Sequence, residues 1–185
     1  VERLVPASSL LLVVDLQERL AAAMPRDSLE RIVKNANLLL EAAAILKVPV
    51  VASEQYPKGL GPTLAPIRQR LSKVGAVPID KLSFDASAEP RIAREIARIS
   101  PRAIIVAGME AHVCVFQTVR ELARRGHVVH VVADAVASRT EENRRAGLAL
   151  TSNAGATVTV AEAVVFDWLE RAGTEAFRAV SKLVR

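Results

Sequence analysis

Cys114 is the only cysteine in this chain of 185 residues, and it is accompanied by only three histidines. One cysteine can close no internal disulfide and build no cysteine metal cluster. The start of the sequence lacks the succession of charged, apolar and small residues that marks a secretory leader, so a reducing, cytoplasmic setting is expected. His112 and His130 invite a cysteine–histidine dyad or a metal site, but neither pairing has the spacing of a zinc motif, and no metal is expected. No uninterrupted apolar run is long enough to cross a bilayer, so no membrane partner is expected. The net charge is +5, yet the arginines are interleaved with glutamate along helical stretches such as residues 91–98. With no basic run and no basic patch set among aromatics, a nucleic-acid partner is not expected. Gly59 and Gly61 do not open a helix directly after a strand, so the chain has no phosphate-cradling fingerprint and no expected cofactor.

Aromatics are scarce as well, at 3% against 51% hydrophobic residues overall, so the core must be built from Ala, Val, Leu and Ile. These residues cluster into six short runs, residues 9–15, 48–53, 76–80, 103–107, 128–133 and 157–160. Most are continuous rather than alternating, as in strands covered on both faces. Between them lie helical segments. Residues 28–46 carry an apolar stripe at Leu29, Ile32, Val33, Ala36, Leu39, Leu40 and Ala43, with Asp27 and Glu30 as a candidate capping box. Further helices are expected over residues 88–99, 112–125, 141–153, 161–169 and 174–183, with Gly126 as a stop and Thr140 as a start. Residues 56–66 read as one long irregular segment. Alternation of this kind predicts a single α/β domain over residues 1–185, a three-layer α/β/α Rossmann-like fold whose six-stranded, mostly parallel sheet has the order 3-2-1-4-5-6.

In an open parallel sheet, ligands bind beyond the carboxyl ends of the strands. Asp15 closes the first run, Lys81 follows the third and Cys114 lies just past the fourth. Each has an ordinary alternative: a helix cap for Asp15, a surface lysine for Lys81, a buried apolar-like thiol for Cys114. As a reactive trio they would give a carboxylate to take the thiol proton, an ammonium to hold the charges, and a nucleophile at a helix start, where the dipole favours a thiolate. Asp134, Ser138 and Arg139 also lie at a strand end, as rim or brace. Gln17, Gln55, Tyr56, Phe84 and His112 are candidate substrate contacts because they adjoin the same strand ends.

Four blocks occur in order along nearly the whole chain: VVDLQ at Asp15, a lysine ahead of SF at Lys81, GMEAHVCV around Cys114, and VVADAVASR. Together they resemble the isochorismatase-like hydrolases, the superfamily that also contains nicotinamidases and N-carbamoylsarcosine amidase. SEQYPKGLG at residues 53–61 is similar to the subgroup that includes the isochorismatase domain-containing proteins. The resemblance implies a catalytic triad of Asp15, Lys81 and Cys114, a cis peptide at Met109–Glu110, and an oxyanion hole formed by the Glu110 and Cys114 backbone amides. It also implies a homo-oligomer. Residues 52–61 hold no histidine, unlike the metal-binding segment of nicotinamidases, and Cys114 favours acyl transfer over vinyl-ether hydrolysis. The expectation is a metal-independent cysteine hydrolase that cleaves an amide-type C–N bond of a small molecule through a Cys114 thioester. The alternatives are a catalytically silent or redox-responsive protein, or a hydrolase of an ester or vinyl ether.

Overall fold

The computed structural model describes residues 2–184. Along the chain it contains β1 (Ser9–Val14), α1 (Glu18–Ala22), α2 (Arg26–Leu46), β2 (Val50–Gln55), α3 (Pro57–Leu60), α4 (Ala65–Lys73), β3 (Ile79–Lys81) and α5 (Pro90–Ile99). β4 (Ala103–Met109) then runs into a π-helical turn, Ala111–Val115, continuous with α6 (Phe116–Arg124). After these come β5 (Val128–Ala137), α7 (Glu141–Asn153), β6 (Thr157–Thr159), α8 (Ala161–Leu169) and α9 (Glu175–Val180).

All six strands pair in parallel, in the expected order β3-β2-β1-β4-β5-β6. β1 lies between β2 and β4 and has helices on both faces, which is why its five consecutive aliphatic residues are all buried. Alternate side chains leave opposite faces of a strand. Leu11 and Val13 accordingly join one core with Ile32, Leu39 and Ala43 of α2 and Trp168 of α8, whereas Leu10, Leu12 and Val14 join a second core with Ile92 of α5 and Val119 of α6. Trp168 Nε1 donates to Ser9 Oγ at 3.1 Å, so the one indole N–H is satisfied inside the first core. β1 and β4 approach closely where they end: a side chain at Gly108, whose φ is +143°, would run into the backbone of Val14.

Several boundaries differ from those expected. Asp27 caps nothing: α2 starts at Arg26 after Pro25, which leaves Asp27 inside the first turn as a favourable charge at the helix N-terminus. Residues 56–66 are not one irregular loop, since they hold α3 and the start of α4. Pro66, at the end of that segment, occupies the first turn of α4, where its missing N–H costs nothing, and the helix anchors itself through Ile67 and Leu71. β3 is shifted toward Lys81 because Val77 is exposed and only Ile79–Lys81 pairs with β2. β5 runs on to Ala137 past a register shift against β4. Thr140 and Thr174 cap their helices by accepting from Asn143 N at 3.2 Å and Phe177 N at 3.0 Å.

Leu11 is fully buried in the middle of the sheet. Leu11→Ala should cost about 2–5 kcal/mol, read as a lower urea midpoint with an unchanged slope; a midpoint within error of the parent would contradict this packing.

Candidate active site

Asp15 follows β1 in the left-handed region, φ +51°, a conformation that a short polar side chain tolerates better than a branched one. Lys81 is the last residue of β3, on the far side of β2. The lysine stem crosses roughly two strand spacings of about 4.8 Å each and brings Nζ to 2.8 Å from Asp15 Oδ2, with both side chains fully buried. The ion pair therefore spans the end of β2.

A buried ion pair survives only when its remaining lone pairs and protons are satisfied. Ser53 Oγ donates to Asp15 Oδ1 at 2.7 Å. Lys81 Nζ donates to Gln55 Oε1 at 2.6 Å, to Ser83 O at 3.1 Å and to Phe84 O at 3.3 Å. Lys81 Nζ also lies 2.8 Å from Asp15 Oδ2, so each carboxylate oxygen has a polar neighbour, Oδ1 the Ser53 hydroxyl and Oδ2 the ammonium.

Cys114 reaches the same region from β4. The Met109–Glu110 peptide is cis, and the chain then turns through the π-helical segment, with Val113 N and Val115 N both donating to Glu110 O at 3.0 and 3.2 Å. Two side-chain contacts tie this turn to the residues after β5. Glu110 Oε1 accepts from both N and Nε of Arg139 at 3.1 Å, and His112 Nδ1 lies 3.0 Å from Ser138 Oγ. From behind, α7 presses Gly147 so close that a Cβ there would sit 2.5 Å from the carbonyl carbon of Ala111. Cys114 itself is 5% exposed. Burial pushes its thiol up to about 12, the negative charge of Asp15 pushes the same way, and Lys81 pulls against both. Desolvation thus opposes the helix-start effect that favours a thiolate, and the residue sits in a π-helical turn rather than at a regular helix start.

The five expected substrate contacts separate into two groups. Gln17 is fully buried and spends its amide on backbone, donating to Gln55 O at 3.0 Å and Gly61 O at 2.7 Å while accepting from Gln55 N at 2.7 Å. Gln55 holds Lys81 through Oε1 and donates from Nε2 to Leu82 O at 2.8 Å. Neither amide is free to meet a substrate, and both scaffold the ion pair instead. Tyr56 and Phe84 are each 51% exposed, and His112 is part-buried. The Tyr56 ring covers Gly59, which has no room for a side chain. A cleft of about 440 Å³ runs past Tyr56, Lys81, Leu82 and Glu89. His130, in mid-strand on β5, is kept below its ordinary pKa by burial and stands in register with Ile105, well short of the strand ends. The reading of single residues gave Ser53 no role. The available signal was its position two residues before Gln55 on a strand flanked by the strands of Asp15 and Lys81.

The sequence pattern described as Isochorismatase domain matches residues 9–163. The chain belongs to the isochorismatase family. Among its relatives, the secreted isochorismatase effector Isc1 of Phytophthora sojae is 36% identical over 99% of this chain and 87% of its own length. Isochorismatase domain-containing protein 2 of Bos taurus is 35% identical over 99% and 86% respectively. Among solved structures, one described as MAR1 ribonuclease from Caenorhabditis elegans superposes with a TM-score of 0.91 at 35% identity, covering 99% of this chain and 92% of that one. In this isochorismatase-family protein, no helix among the described residues is long and apolar enough to span a membrane.

Removing one member of a buried ion pair strands the other charge. Lys81→Met should destabilise the protein by about 3–5 kcal/mol, whereas combining it with Asp15→Leu should cost much less. Urea unfolding of the three proteins checks this, and equal losses in the single and double variants would contradict a coupled pair.

Proposed function

We propose that this protein is a metal-independent cysteine hydrolase that cleaves an amide-type C–N bond of a small molecule through a thioester on Cys114. The observation that carries the reading is a buried thiol, pushed up to about 12, that feels both members of the buried Asp15–Lys81 pair. Such a thiol needs a base near neutrality, and Asp15 is the carboxylate beside it.

Asp15 takes the thiol proton as Cys114 Sγ bonds to the substrate carbonyl carbon, and the backbone amides of Glu110 and Cys114 carry the oxyanion. The C–N bond then breaks and the proton passes from Asp15 to the departing nitrogen. Water, deprotonated by the same carboxylate, attacks the thioester; the C–S bond breaks, the acid leaves and the thiol regains its proton. Lys81 offsets the negative charge as it moves between Asp15 and sulfur. Tyr56, Phe84 and His112 flank the substrate. A catalytic thiol must stay reduced, which fits a cytoplasmic setting.

A thiol exposed to only 5% favours a small substrate over a polymer. Basic side chains such as Arg70, Arg98, Arg124 and Arg144 pair with nearby glutamates, which speaks against an RNA groove of the kind the ribonuclease description of the C. elegans protein would require. The raised thiol also weakens the redox-sensor alternative, since oxidation follows thiolate character and exposure.

Screening small primary amides with detection of released ammonia should identify a substrate. Against it, Cys114→Ser should lose at least about a thousandfold in kcat and Asp15→Asn about 10²–10⁴-fold, and intact-protein mass spectrometry of a slow substrate should show an acyl adduct on the parent alone. Undiminished hydrolysis by Cys114→Ser would end the covalent reading, and cleavage of single-stranded RNA by the parent but not Cys114→Ser would replace the substrate class.

A further inference from the structure

We infer that Ser53 and Gln55, alternate residues at the end of β2, are positioning residues for the reaction: Ser53 fixes the orientation of the Asp15 carboxylate that receives the thiol proton, and Gln55 sets where Lys81 holds its charge. The inference rests on the reading of Asp15 as the base and goes beyond it by naming what controls that base.

The geometry has three parts. β2 lies between β1 and β3, so the Asp15–Lys81 pair passes directly over its end. Residues two apart on a strand share a face, and here they divide the pair between them: Ser53 Oγ binds Asp15 Oδ1 at 2.7 Å, and Gln55 Oε1 binds Lys81 Nζ at 2.6 Å. Both are buried, at 2% and 7% exposure, where a misdirected polar group is costly. Lastly, Gln55 is itself held. Gln17 grips its backbone N–H and C=O, and its own Nε2 is tied to Leu82 O, so the amide cannot rotate to offer Lys81 its nitrogen.

The consequence for proton transfer is specific. Ser53 Oγ holds Oδ1 and Lys81 Nζ lies 2.8 Å from Oδ2, so the carboxylate is fixed at both oxygens and its orientation is set before the proton moves. Gln55, by fixing the ammonium, fixes the one charge that favours the thiolate.

Iodoacetamide alkylation of Cys114 across pH tests this without any substrate, because the chain has a single cysteine. The tautomer with the proton on Asp15 and the charge on sulfur has the same net charge as the resting pair, so its population does not vary with pH until Asp15 itself is protonated. The parent should give a flat alkylation rate through neutrality, a fall on the acid side and a rise toward pH 12. Asp15→Asn should lose the flat region and gain tenfold per pH unit. A parent profile without the flat region would overturn the Asp15 base and this inference with it. Given that region, Ser53→Ala should lower the flat rate and Ser53→Thr, which keeps the hydroxyl, should restore it toward the parent. Gln55→Leu should lower the flat rate by about tenfold. An unchanged flat rate in Ser53→Ala, or in Gln55→Leu, would overturn the assignment of that residue while leaving Asp15 as the base.

Discussion

The Asp15–Lys81 ion pair, sealed from water across the end of β2, is the constraint to which the rest of the site answers. Two unit charges in a protein interior lose more by leaving water than their attraction returns unless neighbouring groups complete their shells. That requirement accounts for most of the polar residues gathered here. Ser53, Gln55 and the carbonyls of Ser83 and Phe84 complete the shells, Gln17 holds Gln55 in place, and the loop after β3 folds back over the ammonium because its carbonyls are needed there. The sheet order matters for the same reason: only with β2 in the middle can one strand end serve both charges.

The pair also sets the state of the nucleophile. A thiol next to a bare carboxylate would be held firmly protonated; a thiol next to a bare ammonium would ionise and be prone to oxidation. Cys114 feels both, and burial tips the balance toward the thiol. In the proposed reaction, the thiolate forms only in concert with proton transfer inside a nearly closed site.

The sheet was legible because its six aliphatic runs are separated by segments with helical periodicity, and the gathering of Asp15, Lys81 and Cys114 because each lies at or just past the end of a different run. What was not legible depended on contacts distant in sequence. Pro66 looks like the end of an irregular segment until it is known to stand in the first turn of a helix packed on α2. Gln17 and Gln55 look like substrate contacts because they are polar and adjoin strand ends, but their partners, Lys81 and the backbone of residues 55–61, are supplied by the fold. The thiol's ionisation was read from its place near a helix start, whereas desolvation by two packed layers opposes it. Ser53 carried no signal by itself, since a serine on a strand becomes meaningful only when the carboxylate opposite it is known.

Gly147 also bears on the order in which the site is assembled. Asp15, Lys81 and Cys114 all precede α7, yet the backbone that carries the cysteine rests against a helix begun only at Glu141. A chain emerging from the ribosome would thus possess all three side chains well before it possessed the surface that seats them. The missing methyl group of one glycine lets the last quarter of the chain close onto the turn that carries Cys114, so an unfinished chain would carry its cysteine without that support.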